Sequence, residues 1–435
     1  MKSFLKGIVV SILIFEAKLI LKKYKPKVVA ITGSVGKTST KDAIFEALSP
    51  FYHVRKSEKS YNSEIGLPLT IIGATNQWGS FVGWVGVIFH GLGLIFKKHK
   101  YPKWLVLEVG VGKPGDMKKT GMWLKSDVVV FTHFGTTPVH VEFFPSPEHV
   151  RREKILLAHT LKEGGAIILN NDDPLVADLA NKHITKVAHK TYSYSLSNEA
   201  TVKAENYTVV YNDKHLPTGI NFKVSINGNS IPVFIDGGIG ISHITSPLAA
   251  LCTGYALDLD LITISKQFET MDLSPSRMRL IEGKNDSMII DDTYNSSPVA
   301  LQAALDVFAS VENKGKKILV LGDMLELGKF TTVEHEKIGE SLPKGVDALV
   351  LVGKRAMNIG DTAIKKRRIA QKKVFFLDNA YSAKDLLEER VGEGDLVLVK
   401  GSQGVRLEKV VEALMKDQNL APRLLCRQEE EWKRR

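Results

Sequence analysis

A lysine and a threonine at the start of a helix, with two glycines just ahead of them, form a combination suited to holding phosphate. It occurs here in VVAITGSVGKTSTKD, residues 28–42. An apolar run stops at Gly33, Ser34, Val35, Gly36, Lys37, Thr38 and Ser39, and helix-favouring residues follow. Glycine lets the backbone turn so that its N–H groups face one anion at the positive end of the helix dipole. In such a loop Lys37 reaches the β and γ phosphates of a nucleotide, and Thr38 offers its hydroxyl to Mg2+. The two glycines stand closer together than in the general G-x-x-x-x-G-K-[ST] pattern, so a glycine turn before an ordinary helix is the plainer alternative.

Other residues could serve the same chemistry. Glu108 ends the apolar run WLVLEVG (104–110). A carboxylate at the C-terminal end of a parallel strand beside a phosphate loop is well placed to hold Mg2+. Arg277 and Arg279 lie in MDLSPSRMRLIEG (271–283), where a domain boundary is expected. An arginine reaching in from a linker can neutralise a transferring phosphoryl group. Lys154 follows Arg151, Arg152 and Glu153 on an expected helix, where a solvated charged face is the plain reading. His140 and Glu142 sit in HVEFF, and Asn170, Asn171, Asp172 and Asp173 close GGAIILNNDDP as loop residues with possible ligand contacts.

The elements that must position these residues follow from length and pattern. With 435 residues, two or three domains are expected, and 44% hydrophobic content is ample for buried cores. The formal charge of +11 suits polyanionic ligands such as nucleotides, or an acidic membrane surface. No lysine and arginine run with interleaved aromatics points to nucleic acid. Cys252 and Cys426 are far apart, so neither a disulfide framework nor a zinc site is indicated, and a reducing compartment fits best. Residues 190–237 break into short alternating runs, which read as an antiparallel β region. After residue 283, strand and helix alternate through KKILVLGDMLELG, DALVLVG, KVFFLD and DLVLVKGSQGVRLEKVVEAL, implying a parallel sheet. The charged tail LLCRQEEEWKRR carries no specific signal.

Two apolar stretches stand apart. Residues 1–24 place Phe4, Ile8, Ile12, Phe15 and Leu19 at helical spacing among lysines. Glu16 and Lys18 interrupt the run and no cleavage site follows, so an amphipathic helix is expected, lying on a membrane surface or packed on the protein. From Trp78 to Phe96 no Asp, Glu, Lys or Arg occurs, and Lys97, Lys98 and Lys100 follow. Hydropathy alone would make this a membrane span. A single crossing would separate the phosphate loop from the Glu108 strand, which should be its neighbour in one sheet. A buried crossover helix, a re-entrant hairpin or an interfacial patch is therefore expected.

TGSVGKTST followed by Lys41 resembles the loop of the Mur ligases, most closely the MurF type, and further motifs agree in order. These are YNSEIGLPLT (61–70), where Gly66 and Pro68 read as a loop leading into a helix, the E-x-G of Glu108, HVEFF, NNDDP, His243 in GISHITSPLAA, Arg277, DDTYNSSP (291–298), GDMLELG with His335 downstream, and KGSQGVRLE with Lys400, Gly401 and Ser402. Ser276 replaces the glycine before the linker arginine, and Ile244, Ser246 and Pro247 depart from the family's asparagines. The resemblance implies an α/β fold. A P-loop central domain at 27–272, with a parallel sheet and a small antiparallel region, would precede a Rossmann-like ligase domain at 273–435, with 1–26 as a separate amphipathic segment.

The resemblance also implies ATP, Mg2+ as two ions held by Thr38, Glu108, His140 and Lys154, a carbamate on Lys154, and nucleotide contacts from Asp292 and Asn295 near Tyr294. Lys37, Lys154, Arg277 and His140 would serve catalysis. The implied activity joins D-alanyl-D-alanine to a UDP-N-acetylmuramoyl tripeptide through an acyl phosphate in the cytoplasm, with no nucleic-acid partner. Only 26 residues precede the loop strand, so the family's UDP-holding domain is expected to be missing. A lipid-linked carboxylate acceptor, with peripheral contact at the inner membrane face, is one alternative. A non-catalytic nucleotide switch at the membrane is another, disfavoured by the metal-binding constellation.

Overall fold

The computed structural model describes residues 2–58, 61–138, 140–183 and 189–433. Strands that are apolar on both faces must be covered on both faces, and in the first part of the chain helices do this. In order, the elements are α1 (Lys2–Tyr24), β1 (Lys27–Thr32), α2 (Lys37–Leu48), β2 (Val54–Lys56), α3 (Gly66–Ile72), α4 (Phe81–Phe96), β3 (Trp104–Glu108), α5 (Asp116–Gly121), β4 (Ser126–Phe131), α6 (Pro147–Ile155), β5 (Leu161–Asn170), α7 (Pro174–His183), β6 (Lys190–Ser195), β7 (Val202–Tyr211), β8 (Pro217–Ile226), β9 (Asn229–Asp236), α8 (Ser242–Ala256) and α9 (Leu261–Glu269). Their strands form one sheet in the order β2-β3-β1-β4-β5-β6-β7-β8-β9.

Side chains alternate across a strand, so β1 feeds two cores. Val29 and Ile31 pack with Val106, Val128 and Val130 beneath α2 and α8. Val28 and Ala30 pack with Leu105, Leu107 and Val129 on the other face, beneath α1, α3 and α4. The parallel register pairs Ile31 with Glu108 and Thr32 with Phe131. From β1 the chain goes first to β2 and β3 on one side and then to β4 on the other. The carboxyl end of β1 is thus the switch point at which such sheets open a ligand crevice.

The second sheet comprises β10 (Arg279–Glu282), β11 (Met288–Asp292), β12 (Lys317–Gly322), β13 (Ala348–Val352), β14 (Val374–Leu377) and β15 (Leu396–Lys400), in the order β10-β11-β15-β12-β13-β14. Helices α10 (Pro298–Ser310), α11 (Thr331–Glu340), α12 (Met357–Lys365), α13 (Ala380–Glu388) and α14 (Glu408–Leu414) connect and cover it. The sheet is parallel, as the alternation of strand and helix implied, except that β10 runs antiparallel to β11.

Two expectations need correcting. The region 190–237 is antiparallel only in β7, β8 and β9; β6 pairs parallel with both β5 and β7, and all four strands extend the main sheet. The stretch at Gly66 and Pro68 is helix rather than loop. A Cβ at Gly66 would lie 2.5 Å from a Tyr61 backbone carbon, and Pro68 falls in the first turn, where no backbone N–H is needed.

Helix α1 packs on α3 and α4 with one side and leaves the other exposed. Its buried side is Leu13, Ala17 and Ile20, whereas Ile8 and Phe15 of the stripe read from the sequence are exposed. Ile12 and Leu19 are half-buried, and the side chain of Phe4 lies outside the described ones. Both sides of α1 are apolar, so spacing alone could not choose the inner one. The segment 78–96 is a crossover helix with one face buried, at Val87, Gly91 and Leu94.

Candidate active site

The phosphate-type loop is built by close approach. A Cβ at Gly33 would stand 1.9 Å from Thr132 Oγ1, so only glycine passes there. Gly36 takes a left-handed φ of 85° and opens α2. Thr132 donates its hydroxyl to the Val35 carbonyl at 2.7 Å. The Ser34 and Val35 N–H groups both donate to the His133 carbonyl, at 2.7 and 3.1 Å. The expectation that the whole loop turns its N–H groups to phosphate is corrected at these two residues. The first helical bond runs from Thr40 N–H to the Gly36 carbonyl at 2.9 Å, so the helix-end amides of Gly36 to Ser39 lie ahead of the hydrogen-bonded ladder.

Glu108, 1% exposed, is gripped from several elements. Thr38 donates to its Oε2 at 2.8 Å and Asn62 Nδ2 to its Oε1 at 2.9 Å, while its own N–H meets Ser57 Oγ at 3.3 Å. Arg277 Nη2 in turn donates to Thr38 Oγ1 at 3.0 Å. One hydroxyl thereby joins the helix start, the strand end and the linker. Lys37 curls back onto the Gly33 carbonyl at 2.9 Å. Burial pushes its ammonium below the ordinary value, and nearby Glu108 pulls it back up.

A hydroxyl and a carboxylate in contact give an all-oxygen donor set, which fits a hard cation that retains several waters, such as Mg2+. Among the described residues no group of three His, Cys, Asp or Glu side chains could enclose a metal. His140 in particular, expected as a further ligand, pairs through Nδ1 with Glu326 at 2.8 Å, and its backbone is left-handed at φ 67°.

Lys154 lies on α6, whose start is fixed by Ser146 accepting from the His149 N–H and by Pro147 in the first turn. Its Nζ donates to Ser34 Oγ at 2.7 Å, and it is 3% exposed rather than on a solvated face. Burial, then the charges of Lys37 and Arg151, hold its amine well below the ordinary lysine value. A neutral amine is the form that can add CO2.

The linker arginine is held on both sides. Ser276 and Met278 take φ of 56° and 49°, so serine occupies the left-handed position that the resemblance assigns to glycine. The Ser276 hydroxyl donates to Asp291 Oδ2 at 2.8 Å, which fixes that geometry. The His243 imidazole meets the Arg277 carbonyl at 2.8 Å, and the guanidinium stacks on Tyr294 at 4.0 Å. Asp292 and Asn295 flank Tyr294. Lys400 donates to Asp292 at 2.6 Å and to the Asn295 carbonyl at 3.0 Å.

Several residues singled out by the sequence hold loops together. Asp173 accepts from Phe134 N–H at 2.6 Å, and Asp172 receives the Ser195 hydroxyl and the Leu196 N–H, both at 2.6 Å. His335 bonds Met324 N–H at 3.0 Å and so secures the GDMLELG turn, and Ser402 accepts from Leu325 N–H at 2.9 Å. Asn62, His133, Glu326 and Arg427 were missed. Asn62 and Glu326 stood within quoted motifs, while His133 acts through its backbone carbonyl and Arg427 lies in the tail, where nothing marked it.

Known proteins resemble this chain along most of its length. Residues 91–235 match the Mur ligase middle domain, and residues 276–403 match the Mur ligase, glutamate ligase domain. The UDP-N-acetylmuramoyl-tripeptide--D-alanyl-D-alanine ligase of Bacillus subtilis is 28% identical over 406 residues, covering 92% of this chain and 78% of the relative. The structure of MurF ligase from Thermotoga maritima in complex with ADP superposes with a TM-score of 0.75 at 26% identity, covering 94% of this chain and 84% of that one. MurF from Acinetobacter baumannii, at 22% identity and a TM-score of 0.74, covers 94% and 80% and shares the fold.

Proposed function

The chain belongs to the Mur ligase family, and from that premise we propose that it is an ATP-dependent amide ligase of peptidoglycan precursor synthesis that joins D-alanyl-D-alanine to a UDP-N-acetylmuramoyl tripeptide. The observation that carries the reading is the chain of contacts Glu108, Thr38, Arg277, which draws a strand-end acid, a phosphate loop and a linker cation to one point. A carboxylate oxygen of the tripeptide attacks the γ phosphorus, and the bond to the β–γ bridging oxygen breaks to release ADP. The amine of the dipeptide then attacks the acyl carbon, the carbon–oxygen bond to phosphate breaks, and the amine sheds a proton.

In this reading the helix-end amides from Gly36 to Ser39, with Lys37, bind the phosphates. Arg277 offsets charge on the transferring group, and Asp292 and Asn295 take the nucleotide beside Tyr294. Glu108 and Thr38 would hold Mg2+, which would supply charge neutralisation at the phosphate oxygens. We include in the proposal a carbamate on Lys154, supported by its lowered amine, and a second ion that would need His140 to leave Glu326. The domain division at residues 272 and 273 and a cytoplasmic location, peripheral at the inner membrane face, belong to the same reading.

A lipid-linked carboxylate acceptor is favoured as the second reading by the exposed apolar side chains of α1 and α4. Incubation with ATP, dipeptide and each acceptor, followed by mass spectrometry, separates the two. Lys37→Ala should abolish the ATP-dependent product while leaving a folded protein. Near-normal turnover by that variant would refute the site.

A further inference from the structure

Helices α1 and α4 pack against each other on the sheet face opposite α2 and α8, and they contribute Leu13, Ala17, Ile20, Val87 and Leu94 to one core. Each therefore turns its other side outward. On α4 the outer side carries Val82, Phe89 and Phe96, every two turns, at 79%, 68% and 81% exposure. On α1, Ile8 and Phe15 repeat the spacing at 43% and 60%. Removing such side chains from water is favourable, and the fold leaves that gain unused. An apolar face that runs across two adjoining helices is a surface that meets something else.

Charge indicates what it meets. Lys23 Nζ donates to the Leu94 and Ile95 carbonyls, both at 2.9 Å, and Tyr24 Oη also meets Leu94 at 2.9 Å, so the C-terminal ends of the two helices are tied together. That junction gathers Lys22, Lys25, Lys97, Lys98 and Lys100, all exposed. Across residues 1–27 and 65–107 the sole acid is Glu16, and it is buried against Gly91 between the helices. The exposed Glu64 pairs with Lys6 at 3.2 Å, near the start of α1 and away from this junction, and apolar rings beside the remaining lysines complement a bilayer that contains acidic lipid. The rings enter the acyl boundary and the ammonium groups stay at the headgroup phosphates. Among the described residues no helix is long and apolar enough to cross a membrane, so the contact is lateral.

We infer that the outer face of α1 and α4 docks flat on an anionic bilayer, with the lysine junction at the headgroups. The inference deepens the peripheral location proposed above and does not depend on the ligation chemistry. Co-sedimentation of the full chain with phosphatidylcholine vesicles, with and without phosphatidylglycerol, tests it at low and high salt. Expected is binding that needs phosphatidylglycerol and weakens with salt. Two variants, Phe89→Asp with Phe96→Asp and Lys97→Glu with Lys98→Glu, should each lower it at least about tenfold. Parent protein left in the supernatant, or parent and both variants sedimenting alike, overturns the inference. So does a lipid-free dimer that Phe89→Asp disperses, which would make the face an interface between copies. Ligation of a soluble acceptor, assayed without vesicles, reports on the ligase reading separately.

Discussion

Lys154 shows how one side chain takes its chemistry from its surroundings. A lysine on an exposed helix stays protonated, and this one is enclosed, faces Ser34, and feels Lys37 and Arg151. Desolvation and like charge both disfavour its ammonium form. Replacement by alanine should lower ligation on the order of 10- to 100-fold, as loss of a group supporting a metal site does. Formate or acetate should restore part of it by placing an anion where a carbamate would sit. Rates with and without these acids check this, and full activity of Lys154→Ala without additive would reduce the residue to packing. The loop residues from Gly33 to Thr38 could be read in advance because a turn, a helix start and a hydroxyl are local properties. Asn62 could not be assigned a role, since its partner Glu108 is distant in the chain and meets it only once β3 is in the sheet.

At the scale of elements, the pairing of α1 with α4 encloses Glu16, whose carboxylate lies against Gly91. Burial pushes its pKa up from 4.5 to about 7. Between those values the folded chain binds more protons than the unfolded one, so this group's contribution to stability falls as pH rises from about 4.5 through 7. Glu16→Gln removes that loss and should melt at a higher temperature than the parent at pH 8, with a smaller difference at pH 5. Thermal melts of both proteins decide it, and parallel pH profiles would mean that Glu16 is solvated. Sequence pattern established that the first segment is helical and that both are apolar, and left the second open between a crossover helix, a re-entrant hairpin and an interfacial patch. It could not choose the buried side of α1, because a helix with apolar residues on both sides has no preferred face until a partner selects one.

Across the whole molecule, the tail that carried no sequence signal secures the site. Arg427, 7% exposed, donates to Glu408 at 2.9 Å and to the Thr293 carbonyl at 3.2 Å, behind the loop that presents Tyr294 to Arg277. Glu408 keeps Arg406 at 2.5 Å, but the Thr293 and Tyr294 carbonyls lose their donor, so Arg427→Ala should cost about 1–3 kcal/mol in denaturant unfolding. It should also weaken ligation through the displaced Tyr294 loop. An unchanged unfolding midpoint would show the tail to be merely adjacent. The sequence by itself determined the two α/β sheets, the phosphate-type loop, the strand-end acid and the linker arginine, because apolar periodicity and short motifs are written in neighbouring residues. Only the tertiary structure decided that Thr38 joins Glu108 to Arg277, that His140 turns to Glu326, that Lys154 loses its solvent, and that α1 and α4 present an unburied apolar face. Those outcomes depend on which distant surfaces exclude water from each other, and that is settled only when the sheets and their covering helices pack.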